Sequence, residues 1–152
     1  MRTETDQVTS THEVITGLGD LLSAMQDAET GQRGFLLTGN PSYLEPYRDA
    51  QARSDAILQN LDRLTRDDPA QKSSLQALRP QVATKFEGLA RSIAIRQQQG
   101  LAATLAAVDA DRDKAEMDAV NTAFVAAKRA GLAADSAEAM AAAGLASRVC
   151  GW

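Results

Sequence analysis

Apolar side chains recur at alternating intervals of three and four residues along nearly the whole chain. This spacing places them on one face of an α-helix and is typical of helices packed in a bundle. It predicts helices over about residues 5–38, from residue 41 to about 66, over 69–99, over 101–108 and over about 112–147. Beyond Ala126, nearly every inward position of the last helix is alanine or glycine. Small residues bury little surface unless two backbones come close, so we expect this helix to lie tightly against the first.

Short connections join the four long helices of this pattern. They predict an all-α fold, an up-down-up-down four-helix bundle with long first and last helices. Asp68 before Pro69 is a helix cap followed by a residue suited to the first helical position. An even number of long helices brings both ends of the chain to the same end of the bundle. A segment inserted between two membrane helices needs this geometry, although a freestanding bundle has it too.

The inward positions of the first helix become polar near its end. Burying a carboxylate and an amide without partners costs on the order of 1–3 kcal/mol for each group. Arg33 lies one turn after Glu29, and its planar guanidinium can hold a carboxylate with two bonds. We therefore expect a buried polar network, in which Arg33→Ala uncouples Glu29 and destabilises the fold. The inward positions are Val8, Thr11, Ile15, Leu18, Leu22, Met25, Glu29, Gln32 and Leu36.

A helix stop follows this polar stretch. Gly39 suits the left-handed position after the last turn, Asn40 can cap, and Pro41 can begin the next helix. Gly31 and Gly34, within the helix, each cost roughly 1 kcal/mol of helix propensity, and they let another backbone or side chain approach closely. The predicted junction between the first two helices comprises Gly31, Gly34, Thr38, Gly39, Asn40 and Pro41.

Two interpretations of the polar residues remain open. In the favoured one they form a structural or signalling network that locks the junction, comprising Asp27, Glu29, Thr30, Gln32 and Arg33. In the other, a ligand binds in a pocket at the tip of the bundle, lined by Glu29, Arg33, Tyr43 and Tyr47. The first is favoured because the glycines indicate close packing and the alanine-rich seams disfavour a sizeable interior pocket.

The run DAETGQRGFLLTGNPSYLEPY, residues 27–47, closely resembles the signature of the third-type CHASE domain. This family comprises extracellular sensory domains of bacterial histidine kinases and related receptors. Residues 97–101 and 113–118 resemble its later junction and last helix. The family often has a glycine near Asp113 and an arginine near Asn121, and this chain has neither there.

The resemblance implies a periplasmic sensory input domain of an inner-membrane receptor, in keeping with a histidine kinase of a two-component system. Such a domain would pass an unknown small-molecule or other stimulus to flanking transmembrane helices and would work as a homodimer. We expect one domain over residues 1–148 and a tail over 149–152 that is a boundary remnant. The alternative is a cytoplasmic helical scaffold or adaptor that binds partner helices. Apolar stretches of spanning length on both sides of the segment would favour the receptor.

The composition argues against several classes of binding and catalytic site. The net charge of -4 argues against a nucleic-acid surface, and the single cysteine, Cys150, excludes an intrachain disulfide. His12 is the only histidine, whereas a di-iron bundle needs two Glu-x-x-His motifs. We therefore expect no metal, no cofactor and no catalytic residue, so any kinase or cyclase activity would lie elsewhere in the parent protein. No apolar run approaches the roughly 20 residues of a spanning helix, so we expect the fragment itself to be soluble.

Overall fold

The computed structural model describes the backbone of residues 4–108 and 110–150 and the side chains of residues 11–108, 112 and 114–133. Its helices, all predicted from the hydrophobic pattern, are α1 (Glu4–Thr38), a 3-10 turn (Pro41–Tyr43), α2 (Leu44–Leu64), α3 (Pro69–Gln99), α4 (Leu101–Ala107) and α5 (Ala110–Cys150). The last helix extends beyond its predicted end at residue 147 and includes the first two residues of the predicted tail. Residues 151 and 152 lie outside the described backbone.

The four long helices form the predicted up-down-up-down bundle. α1 packs most extensively against α2, and α5 packs against both α3 and α1. The start of α5 lies beside the later part of α1, because Arg112 and Glu29 line one cleft. Further along α5, a Cβ atom on Gly131 would lie 3.4 Å from Cγ1 of Ile15. α5 therefore runs antiparallel to α1.

α1 and α5 extend past the turn that joins α2 to α3. Near that turn, a Cβ atom on Gly131 would lie 3.7 Å from Oε1 of Gln71, at the start of α3. The nineteen residues of α5 after Gly131 continue for about 28 Å, and the eleven residues of α1 before Ile15 for about 16 Å. Both helices therefore leave the bundle at the same end.

The inward positions predicted for the first helix form a narrow line along it, the predicted seam. The buried face of α1 is broader than this seam. The seam residues Ile15, Leu22 and Glu29 are only half-buried. The other described positions of the prediction are buried, namely Thr11, Leu18, Met25, Gln32 and Leu36. Residues one place before a predicted position are buried as well, and these are Val14, Leu21, Ala24, Ala28 and Phe35. The difference arises because α1 contacts α2, α3 and α5, whereas a narrow seam serves only one partner. The side chain of Val8, at the start of the seam, lies outside the described residues.

On α3, the predicted inward face is confirmed at every position. These residues are Leu75, Leu78, Val82, Phe86, Leu89 and Ile93, and all of them are buried. The tight contact expected between the last helix and α1 is shared with α3, which packs more extensively on α5. In the described part of α5, Val120 and Ala127 are buried. The alanine positions beyond residue 133 lie outside the described side chains.

Helix stops lie where the sequence predicts them. Gly39 has a φ of +68°, and its amide donates a hydrogen bond to the Phe35 carbonyl at 2.7 Å. The side chain of Asn40 then accepts a hydrogen bond from the Ser42 amide at 3.0 Å. At the start of α3, the Asp68 carboxylate accepts bonds from two backbone amides. Each cap satisfies backbone groups that a helix end leaves without intrahelical partners.

Candidate functional site

A cleft of about 470 Å³ opens between α1, α3, α4 and the start of α5. Gly100, with a φ of +86°, ends α3 and turns the chain into α4, which forms one side of the opening. Gly88 lets α5 come close to α3, because a Cβ atom there would lie 3.1 Å from Oε2 of Glu116. The sequence disfavours a sizeable interior pocket. This cleft is open to solvent on one side, so it does not contradict that expectation. The alanine-rich stretch on which it rests belongs to the other end of α5.

Glu29 lies at the α1 wall of this cleft, between two cations. Nη2 of Arg33 donates a hydrogen bond to Oε1 of Glu29 at 2.9 Å, and Nζ of Lys85 lies 3.6 Å from the same oxygen. The Arg33 side chain is 69% exposed, whereas that of Lys85 is only 4% exposed. Glu29 itself is 18% exposed. The predicted ion pair is present, but the buried partner of the carboxylate is Lys85 of α3.

Gln32, the other polar residue at a predicted inward position near the end of α1, is also paired with α3. Its Nε2 donates to Oγ of Ser92 at 2.8 Å, and that hydroxyl donates to the Leu89 carbonyl at 2.7 Å. Gln32 is therefore buried with its amide nitrogen bonded. The inward position of Lys85 could have been predicted from spacing alone, since it lies three residues after Val82 and four before Leu89. Spacing does not show that its partner is Glu29. Ser92 has no comparable signal.

A second ion pair lies on the opposite wall. Nε of Arg112 lies 3.3 Å from Oε1 of Glu116, whose side chain is largely buried. Among the side chains that the structure describes, the charged residues lining the cleft are Arg33, Lys85, Arg91, Arg112, Glu29 and Glu116. These described side chains carry an excess of two positive charges, in a chain whose net charge is -4.

The remaining residues of the predicted network face α2 instead. Asp27 pairs with Arg53 of α2 at 2.8 Å, and both side chains are more than half exposed. Oγ1 of Thr30 donates to the Gln26 carbonyl at 2.9 Å. The five predicted residues therefore form two groups on different faces of α1, and only Glu29, Gln32 and Arg33 line the cleft.

Packing at the junction uses Gly31 and Gly34 of α1. A Cβ atom on Gly31 would lie 2.8 Å from the Tyr43 carbonyl oxygen and 3.1 Å from the Tyr47 amide nitrogen. Gly34 lies directly under the Tyr43 ring. Thr38 closes the helix end, because its hydroxyl donates to the Gly34 carbonyl at 2.7 Å. The same hydroxyl accepts from the amide of Asn40, next to Pro41.

The structure does not bring together the four residues of the predicted ligand pocket. Glu29 and Arg33 line the cleft, whereas Tyr43 and Tyr47 pack on the α2 side of α1. Tyr43 is partly exposed, while Tyr47 is buried with its ring centroid 6.4 Å from that of Phe86. The sequence could not show which of these residues lie at the cleft and which lie on the α2 side of α1, because residues close together along a helix can contact different neighbouring helices.

Tyr47 gives the molecule a pH dependence at alkaline pH. Burial raises the pKa of its hydroxyl above the ordinary value of 10.0. The unfolded chain then loses this proton at a lower pH than the folded protein, so stability falls as pH rises from about 10 towards the folded pKa. Below that range the contribution is fully present. We expect Tyr47→Phe to lose less stability than the wild type between pH 9 and about 11, measured by urea unfolding at each pH. An identical decline in both proteins would contradict the burial of the hydroxyl.

Other candidate chemistry stays outside the cleft. His12 is exposed on α1. Within the residues that the structure describes, no group of three histidine, cysteine, aspartate or glutamate side chains is placed to hold a metal ion. Over the same part of the chain, none of the helices combines the length and the apolar character needed to cross a membrane.

Comparison with known proteins identifies two similarities. The sequence model of the CHASE3 domain matches residues 4–138. The fold is similar to the crystal structure of the sensor domain of histidine kinase HK9 from Rhodopseudomonas palustris, with a TM-score of 0.74 and 24% sequence identity. That match covers 80% of this chain and 95% of the other. No curated protein matches the chain. At this identity the structural similarity establishes the fold alone, while the sequence match covers most of the chain.

Proposed function

This chain belongs to the CHASE3 family of sensory domains, and from that premise we propose that it is the periplasmic input domain of a membrane-bound receptor. The receptor is a histidine kinase of a two-component system, and the domain passes a stimulus to transmembrane helices that flank it in the parent protein. It contributes no catalytic step itself. We also propose that it works as a homodimer, which is what membership of this family implies.

The observation that carries this proposal is the common exit of α1 and α5. Both helices continue beyond the turn between α2 and α3, in antiparallel directions. A long continuous helix transmits a displacement along its axis because its backbone hydrogen bonds keep it stiff. A change in the relative position of α1 and α5 inside the bundle would therefore reach a membrane surface at that end.

The contact between these helices suits a small displacement. Near the exit, Gly131 of α5 faces the side chain of Ile15 of α1, so α5 contributes no side chain of its own at that contact. At the other end, α1 and α5 meet across the cleft, with Glu29 and Glu116 on opposite walls. A stimulus that binds one arrangement of these walls better than another would shift the population between two packings.

Helix-phase insertions test this mechanism. The domain is placed between the transmembrane helices of a histidine kinase with a measurable output, and one to four alanines are inserted in α1 before Thr11. Each insertion rotates the preceding segment by about 100°, so output should vary with helical phase and should approach the parental level when four residues complete about one turn. Phase-independent output would contradict signalling through α1.

Two controls accompany the insertions. One alanine in the turn between α2 and α3, next to Arg66, should leave the output unchanged, because that turn does not connect to the exiting helices. The parent gene should encode apolar stretches of spanning length on both sides of this segment. Their absence would favour the alternative of a cytoplasmic helical scaffold.

A further inference from the structure

We propose that the cleft between α1, α3, α4 and α5 binds a small organic carboxylate with an apolar body. The ligand would be an aliphatic or aromatic monocarboxylate, held by Lys85 at its charged end and by the leucines of α4 at its apolar end. The binding site follows from the geometry of the cleft. Its role as the stimulus rests on the proposed sensory function.

Lys85 is the first reason. A buried ammonium group is costly unless charged or polar partners surround it, and this side chain is almost fully buried beside the cleft. Its distance of 3.6 Å from Glu29 exceeds the roughly 2.7–2.9 Å of a charge-assisted hydrogen bond. Arg33 lies nearer to that carboxylate oxygen. An ammonium has three N–H donors, so Lys85 can bind a second carboxylate that enters from the cleft.

The charge of the lining points to an anion as well. Among the described side chains, both carboxylates lie in ion pairs with arginines on their own helices, and two further cations, Lys85 and Arg91, line the cleft. A monocarboxylate would reduce this excess positive charge, whereas a cation would increase it. Charge therefore selects against amines and favours acids.

The apolar part of the ligand is indicated by exposed leucines. Large apolar side chains that remain in contact with water cluster at the mouth of the cleft, and these are Leu37, Leu101, Leu105 and Val108. A contiguous exposed apolar patch rimmed by charges is typical of a binding site. The patch is aliphatic, and covering it with a hydrocarbon chain or ring would remove apolar surface from water. The cleft volume of about 470 Å³ suits a small molecule.

Ligand entry would also act on the contacts that join the walls. A carboxylate bound to Lys85 would share the ammonium with Glu29 and draw it towards the cleft, and the Lys85–Glu29 ion pair connects α1 to α3. Weakening it while covering the α4 leucines would favour a different spacing of α1 relative to α3 and α5. Under the proposed sensory function, this is the change that the exiting helices would report.

Calorimetric titration of the domain with benzoate and octanoate tests the site, with benzamide and octanamide as neutral matches. We expect each acid to bind about tenfold or more tightly than its amide, since the amide loses the charge-assisted contact. If neither acid binds at millimolar concentration, or if the amides bind equally well, the proposal is wrong.

Two matched variants locate the binding. Leu105 lies at the cleft mouth with 61% exposure, so Leu105→Asp should leave the fold intact while weakening both acids by about tenfold. Leu132→Asp, on α5 outside the cleft and 47% exposed, is its control and should bind as the wild type does. Lys85→Met should abolish the preference for acids over amides, whereas Lys128→Met on the exposed face of α5 should not. Equal effects of a variant and its control would overturn the site.

The outcome for the ligand can be separated from the outcome for the receptor. The acids can also be added to the histidine kinase that carries this domain between its transmembrane helices. Binding of the acids without a change in the output of that kinase would contradict the sensory role but not the site. A phase-sensitive receptor whose isolated input domain binds neither acid would support the sensory role and overturn the ligand assignment. An adventitious hydrophobic interaction would be recognised by amide binding as strong as acid binding.

Discussion

Replacing Gly31 by leucine is expected to lower the free energy of unfolding by about 3 kcal/mol, near the upper end of typical overpacking effects. A Cβ atom at this position would lie 2.8 Å from the Tyr43 carbonyl oxygen and 3.1 Å from the Tyr47 amide nitrogen. Because these are backbone atoms, they cannot rotate away as a side chain would. The start of α2 must therefore move off α1. Thermal unfolding should show a melting temperature about 6–12 °C lower.

Gly19→Leu is the matched control on the same helix. Nothing lies within 4 Å of a Cβ atom there, and the position is exposed. Leucine has a higher helix propensity than glycine, so this variant should be more stable than the wild type by roughly 0.5–1 kcal/mol. Equal destabilisation by both substitutions would show that the cost arises from leucine itself and would contradict the close contact at Gly31.

Lys85→Met is expected to cost about 2–3 kcal/mol of stability, mainly through loss of the buried counterion of Glu29, because methionine fills most of the volume of the lysine stem. Removing one member of a buried pair typically costs about 3–5 kcal/mol, and the value is lower here because Glu29 keeps Arg33 and some solvent contact. Urea unfolding should show a lower midpoint at an unchanged slope.

Arg33→Met is the comparison, and the structure indicates a smaller loss of stability than a buried network at this arginine would give. Its side chain is 69% exposed, and an exposed ion pair within one helix contributes only about 0.3–0.5 kcal/mol. The added substitution Glu29→Gln should recover part of the loss in Lys85→Met, because no buried charge then lacks its partner. If Arg33→Met costs more than Lys85→Met, the assignment of Lys85 as the main partner is wrong.

Much of the fold could be predicted from the sequence. Helix bounds and stops follow from signals within a few residues, such as Gly39 at a left-handed position and Asp68 before Pro69. The inward face of α3 follows from spacing because that helix presents one continuous apolar stripe. The stretch over residues 27–47 is enough to indicate the family, and the match over residues 4–138 confirms it.

The candidate site could be predicted only in part. Glu29, Gln32 and Arg33 stand out because they interrupt an apolar pattern, and all three line the cleft. Their partners Lys85 and Ser92 lie 56 and 60 residues away from Glu29 and Gln32, on a different helix. No local signal connects residues that far apart. The same limit placed Tyr43 and Tyr47 in a pocket from which the structure separates them.

The sequence by itself determined to within a few residues where each helix begins and ends, which family the chain belongs to, and which residues of α1 carry unusual polarity. These properties depend on neighbours within a turn or two, so the order of residues is enough to specify them. Only the tertiary structure decided that Lys85 is the buried partner of Glu29 and that a positive, leucine-rimmed cleft lies beside it. Those facts depend on the rotation and axial offset of α1 relative to α3 and α5, which packing of the whole bundle sets.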